Sequence, residues 1–218
     1  MEALTTVWNF LVKGGVIMIP LALCSLVGLA VLIEKLYSLR RNKVLIPEII
    51  HVLDNIRSEE DIPLAVNICE KHQGPFANIV LTVLRYRHQS RAELKELVEE
   101  TGRQEVRTLE RGLVALETVA GVAPLLGLLG TVIGILKIFD VISEVGMGQA
   151  SALSGGLSEA LITTIIGLSI GIPSLVFYNY FVDKAEQLIL EIEKYSSALI
   201  LKLKSFESQE LNLVDAPQ

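Results

Sequence analysis

The stretch TVAGVAPLLGLLGTVIGIL, residues 118–136, runs for 19 residues without a charge or a histidine. As a helix rising 1.5 Å per residue it reaches about 30 Å, the thickness of a bilayer's hydrocarbon core. Two further blocks share this character: residues 14–33, 20 residues long, and residues 160–182, 23 residues long. Of the 218 residues, 51% are hydrophobic and 20% charged, and the mean hydropathy is +0.51. The apolarity is concentrated in these blocks, so the sequence predicts an all-α, polytopic membrane protein with three transmembrane helices and long cytoplasmic helical extensions. The first block is too long for the core of a signal peptide and lacks a small-residue cleavage pattern, so it reads as a retained helix.

Lysine and arginine set the expected topology. One precedes the first block, 13 lie between the first and second, one (Lys137) lies between the second and third, and four follow the third. The positive-inside rule then puts the N-terminus and the 137–159 loop outside, and residues 34–117 and the C-terminus in the cytoplasm. Expected boundaries are an outside N-terminus at 1–13 and transmembrane helices at 14–33, 118–140 and 159–182. A cytoplasmic helical domain fills 34–117. A short outside loop with the start of the third helix fills 141–158, and a cytoplasmic C-terminal helix fills 183–218. Interfacial aromatics agree: Trp8 at the outer end, Tyr37 beyond the inner end of the first block, and Phe177, Tyr178, Tyr180 and Phe181 at the inner end of the third.

The polar part carries helix signals and no alternating strand pattern. Asp61 and Pro63 open a short helix with Leu64, Ala65, Ile68 and Cys69 on one side, and Gly74-Pro75 ends it. Phe76, Ile79, Val80, Val83 and Leu84 mark the next helix. Ser90 and Glu93 have the spacing of a capping box. The helical spacing from Leu94 to Leu116 predicts one unbroken helix running on into the second apolar block. In the tail, Leu188, Ile192, Tyr195, Leu199, Leu203 and Phe206 form a coiled-coil-like seam, open to packing within one chain or between chains.

Small and polar residues single out the second and third blocks. Gly127, Gly130 and Gly134 in the second, and Gly167 and Gly171 in the third, have the spacing by which helices approach closely in lipid. That packing can lie within a chain or between subunits. Thr131 sits mid-block, and the third block carries Thr163, Thr164, Ser169 and Ser174, with Glu159 immediately before it. An acid at membrane depth is costly and tends to face water or a partner. Glu159 is either such an acid or a helix-start residue at the outer interface. Lys137, Asp140 and Glu144 lie close enough in sequence to pair at the outer surface.

Several classes are excluded or disfavoured. A net charge of −6 argues against nucleic acid as a partner. Cys24 and Cys69 fall in segments expected in different compartments, which argues against a disulfide or a cysteine zinc site. His51, His72 and His88 lie away from the apolar blocks, and no phosphate loop, metal motif or nucleotide fingerprint is present. No catalytic residue, metal or cofactor is expected, and the chain does not read as an enzyme.

The strings APLLGLLGTVIG (123–134) and GLSEALITTIIGLSIGIP (156–173), followed by Tyr178-Asn179, resemble the ExbB/TolQ/MotA family of proton-channel subunits. Three blocks match the ExbB/TolQ branch, since the MotA branch has a fourth helix. The resemblance implies a homopentameric ring in the lipid of the bacterial inner membrane. Within it would sit single-span partners of ExbD or TolR type, the whole acting on a TonB- or TolA-type protein. Carried over by position, Thr131, Glu159 and Thr164 would line the proton pathway, near an aspartate supplied by the partner. TonB-dependent transport across an outer membrane is the leading implied role, with Tol-type integrity or a gliding-type motor as alternatives. A passive membrane scaffold and a stand-alone ion channel are readings of other classes.

Overall fold

The computed structural model describes residues 14–145 and 150–214; Trp8 and the rest of 1–13, Gln149 and residues 215–218 lie outside them. All described secondary structure is helical. In chain order the helices are α1 (Met18–Ser38), α2 (Arg41–Val44), α3 (Pro47–Asn55), a 3-10 turn (Glu59–Asp61), α4 (Ile62–Lys71), α5 (Pro75–Arg85), α6 (Arg91–Glu110), α7 (Leu113–Val145) and α8 (Ala150–Val214). Three stretches are long and apolar enough to cross a membrane: Met18–Ser38, Leu113–Ser143 and Ser154–Phe206. The described residues form two compact units, one within 1–35 and 112–180, the other within 36–111 and 181–218.

In the first unit α1, α7 and α8 pack through small residues. Gly28 of α1 lies against Val119 and Ser174. Leu125, Leu128, Val132, Leu161, Ile165, Leu168 and Ile172 remain exposed. Exposed apolar side chains in that number suit hydrocarbon rather than water.

The helix expected to run unbroken from Leu94 into the second apolar block is in fact two helices. Glu110 ends α6, Arg111 leaves the helical region (ψ 128°), and Gly112 takes φ +90°. Only glycine adopts that φ without strain, so the chain turns there and restarts as α7. Pro124 and Pro173 stay inside their helices. Ser174 Oγ donates to the Ile170 carbonyl at 2.7 Å, one turn back.

The second unit has an ordinary apolar core. Phe76, Ile79, Val80, Val83 and Leu84 of α5 are buried together with Leu94, Leu188, Ile192, Leu199 and Leu203. The tail seam therefore packs within the chain, and Tyr195 meets Phe76 edge-on at 5.7 Å. Leu64, expected on the packed side of α4, is 59% exposed; Ile62, Ala65 and Cys69 make that side instead. The capping box at Ser90 forms, with Glu93 N–H donating to Ser90 Oγ and Ser90 N–H to Glu93 Oε2. Lys202 donates to the carbonyls of Leu53 and Asp54 at 2.8 and 2.9 Å, serving the C-terminal end of α3.

Arg41 grips Glu191 through Nη2 at 2.6 Å and Nε at 2.9 Å, and that hydrogen bonding and charge hold the Glu191 carboxyl below its ordinary range. Backbone N–H groups of Arg57 and Ser58 do the same for Asp61, and Ser90 does so for Glu93. Depressed carboxylates stabilise the fold above their unfolded values, and the contribution is lost as pH falls through the folded ones. The second unit should therefore lose stability below about pH 4.5. Glu191→Gln should flatten part of that dependence in acid titrations followed by circular dichroism.

The close packing of α7 on α8 yields a second expectation. A Cβ on Gly167 would stand 2.6 Å from the Ala123 carbonyl and 2.9 Å from Gly127 Cα, both backbone atoms, whereas one on Gly121 meets nothing within 4 Å. Gly167→Ala should cost about 1–3 kcal/mol, as overpacked sites do, and Gly121→Ala should stabilise by up to about 1 kcal/mol, as alanine for glycine does inside a helix. Unfolding of the two variants in detergent measures the difference.

Candidate functional site

The glycines singled out in the sequence lie between α7 and α8 of one chain. Gly127 faces Thr163, Thr164 and Gly167; Gly130 faces Thr163; Gly134 faces Ala160 and Gly156; Gly171 faces Pro124. The helices run antiparallel, backbone against backbone. Gly171 also faces the Ala120 carbonyl, the one that Pro124, lacking an N–H, cannot serve.

Close approach brings Thr131 and Thr164 together, 33 residues apart in the chain. Their hydroxyls are in hydrogen-bond contact. Thr131 Oγ1 lies 3.2 Å from the Ala160 carbonyl and 3.3 Å from the Gly127 carbonyl, and Thr164 Oγ1 lies 3.2 Å from the same Gly127 oxygen. Two hydroxyls bring two protons. One is spent between them, and the other goes to a carbonyl. Either hydroxyl can be the donor, so the chain of bonds can point in either direction, and each oxygen can donate or accept. Both residues are half-buried, leaving one side of the pair open.

Thr163 is different. It is fully buried, donates back to the Ala160 carbonyl at 2.9 Å and fits over Gly130. That is packing and local bonding, the common behaviour of a membrane threonine.

Glu159 belongs to the same interface. Lys137 Nζ stands 2.6 Å from Oε1 and 2.8 Å from Oε2. The side chain of Glu159 is 15% exposed and that of Lys137 50%. The structure thus pairs Lys137 with Glu159 across the helices, not with Asp140 along its own; the side chain of Glu144 lies outside the described residues. The pairing was missed in the sequence because it depends on how α7 and α8 align. The signal was there in part, since Lys137 and Glu159 each lie just beyond a small residue of the interface, Gly134 and Ala160.

Among the described residues no group of three metal-binding side chains occurs. Burial pushes the Cys69 thiol up to about 11, which leaves it without nucleophilic character. His72 pairs with Glu48 at 2.7 Å and His51 contacts Asn55 at 3.0 Å, both at the surface.

Residues 71–194 match the model of the MotA/TolQ/ExbB proton channel family. A Methanothermobacter thermautotrophicus protein named as an ExbB homolog is 31% identical over 189 residues, 86% of this chain and 67% of that one. Biopolymer transport protein ExbB of Aquifex aeolicus is 41% identical over 87 residues, 40% of this chain and 59% of its own. Tol-Pal system protein TolQ of Pseudomonas aeruginosa is 40% identical over 86 residues, 39% and 37% of the two chains.

The hydroxyl pair carries its own test. Thr131→Val and Thr164→Val each remove one end of the same bond and leave the other facing carbonyls. In a double-mutant cycle the two changes should be non-additive by about 0.5–1.5 kcal/mol, the range for hydrogen bonds between membrane helices. Unfolding of the three variants in detergent or bicelles gives the coupling.

Proposed function

The chain belongs to the MotA/TolQ/ExbB proton channel family, and from that premise we propose that it is the ring-forming subunit of a proton-driven energy-coupling complex. It is a multi-pass membrane protein of the ExbB/TolQ branch. In this reading copies of the chain, five by family resemblance, surround single-span ExbD/TolR-type partners in a bacterial inner membrane. In the same reading the N-terminus is outside and the C-terminus cytoplasmic, which the lysine and arginine distribution supports.

The observation that carries the reading is the Thr131–Thr164 hydroxyl pair, with Gly127 and Ala160 carbonyls as alternative acceptors. A pair that can reverse its bonds can meet an ionised carboxylate as a donor and a protonated one as an acceptor. Repeated around a ring, it offers equivalent resting places for one moving acid. The apolar blocks 118–136 and 160–182 that carry the hydroxyl pair contain no acid, and Glu159, immediately before the second, is paired with Lys137. The proton-carrying acid therefore comes from the partner in this scheme. Each proton crossing the membrane delivers about 2.3 kcal/mol per 100 mV to the movement.

The force is delivered to a TonB-type protein for uptake across an outer membrane, or to a TolA-type protein for outer-membrane integrity. The second reading stays beside the first because TolQ of Pseudomonas aeruginosa and ExbB of Aquifex aeolicus match at 40% and 41% identity over 86 and 87 residues, although the Methanothermobacter ExbB homolog matches over 189.

Proteoliposomes decide between the classes. The chain alone should pass few protons, and the chain reconstituted with an ExbD/TolR-type subunit bearing a membrane aspartate should pass clearly more, measured with an internal pH dye under an imposed potential. Equal flux without the partner favours a stand-alone channel. No flux in either case leaves the scaffold.

A further inference from the structure

Where α1 ends, the chain turns a corner that carries a run of positive charge. The helix is unbroken from Met18 to Ser38, and Arg40-Arg41-Asn42-Lys43 follows within five residues of its end. Leu39, Val44 and Leu45, on either side of the run, are at most 4% exposed, so the corner is fixed into the core of the second unit. The four residues of the run are themselves exposed and line one open concavity. Its three cations have different surroundings. Arg41 is engaged by Glu191. Arg40 and Lys43 form no salt bridge among the described residues. Arg40 is held all the same. Its guanidinium lies over the Tyr37 ring, 4.9 Å from the centroid, and its Nε donates at 3.3 Å to the Leu36 carbonyl, in the last turn of α1 where carbonyls lack helical partners. These contacts use one face and one N–H, and both Nη groups remain as donors.

We propose that Arg40 and Lys43, with Tyr37 beside them, bind the phosphate of an anionic phospholipid in the leaflet at the C-terminal end of α1. The order of side chains along the chain matches the order of layers in a leaflet. Leu36 and Tyr37, 45% and 59% exposed, stand at the end of the span, where acyl chains give way to glycerol, and the two cations follow at the depth of the phosphates. A guanidinium presents a planar fork that matches two phosphate oxygens, and an ammonium adds a point charge. Stacking on Tyr37 orders the fork beforehand, so less freedom is lost on binding. Glu191 does not cancel this charge, because Lys184 and Lys194 act on it together with Arg41. A zwitterionic lipid offsets its phosphate with its own cation, so the corner favours a headgroup with net negative charge. Free phosphate has no hydrocarbon to set against Leu36 and Tyr37. The proposal depends on the chain's spanning a membrane; it is independent of the proton-channel reading and of which side of the membrane the corner faces.

Native mass spectrometry of the full-length protein in detergent, titrated with phosphatidylglycerol or with phosphatidylcholine of the same acyl chains, tests the site. The wild type should retain phosphatidylglycerol more tightly than phosphatidylcholine. In Arg40→Gln/Lys43→Gln the affinity for phosphatidylglycerol should fall about 25-fold, fivefold for each cation near an anionic lipid surface. Lys95→Gln/Arg103→Gln, on α6, changes the net charge equally and should leave that affinity unchanged. Phosphatidylglycerol binding that survives in Arg40→Gln/Lys43→Gln overturns the proposal. An equal loss in the α6 variant also overturns it, since the attraction is then one of overall charge. Inorganic phosphate in large excess should not displace the lipid; displacement overturns the assignment to a lipid headgroup. Should Arg40→Gln/Lys43→Gln fail to assemble, the wild type decides: equal retention of the two lipids overturns the site.

Discussion

Everything distinctive about this protein depends on two backbones lying in contact. Between α7 and α8 the usual layer of side chains is missing, because Gly127, Gly130, Gly134, Gly156, Gly167 and Gly171 supply none. In hydrocarbon, apolar burial does not draw helices together, since lipid tails are as apolar as leucine. Close van der Waals contact and short-range hydrogen bonds are what remain. The glycine surface permits both. It lets Thr131 reach the Ala160 carbonyl and Thr164 reach the Gly127 carbonyl, contacts that any intervening side chain would block.

The same constraint makes the site double-purposed. Thr131 and Thr164 hold the helices together and present a half-open polar edge. A substitution that removes a hydroxyl therefore acts on packing as well as on chemistry, even when shape is conserved, as with valine. The Lys137–Glu159 pair shares this character, binding α7 to α8 while keeping an acid enclosed. Thr163, adjacent in sequence to Thr164, shows how sharply the helical face divides these roles. It points at Gly130 and is sealed off.

The second unit is built on ordinary terms and is correspondingly easy to read. The run Phe76, Ile79, Val80, Val83, Leu84 announces a helix with one wide apolar face, and all five are buried. Ser90 and Glu93 announce a helix start, and both reciprocal bonds form. What failed there failed at a single residue. Gly112 sits in a helical hydrophobic rhythm that continues on both sides, so periodicity alone carries the helix through it; the positive φ that breaks the helix leaves no mark on that rhythm. Leu64 failed for a related reason, since a ten-residue helix offers too few turns for its face to be set from composition.

Local chemistry sufficed for the class of protein, the three apolar spans and the helical polar part, while Thr131, Glu159 and Thr164 were singled out by the resemblance of two short strings to a family. Each of these follows from which residues are near each other along the chain, and hydropathy, charge and capping are properties at that range. The partners of those residues did not follow. That Thr131 meets Thr164, that Thr163 does not, that the tail seam packs on α5, and that Lys137 takes Glu159 instead of Asp140 were decided by the alignment of segments far apart in sequence. Helix pairing sets that alignment through steric fit over several turns at once, and a one-residue change in register rotates every contact by about 100°. Such a fit belongs to two surfaces together, so neither strand of sequence contains it alone.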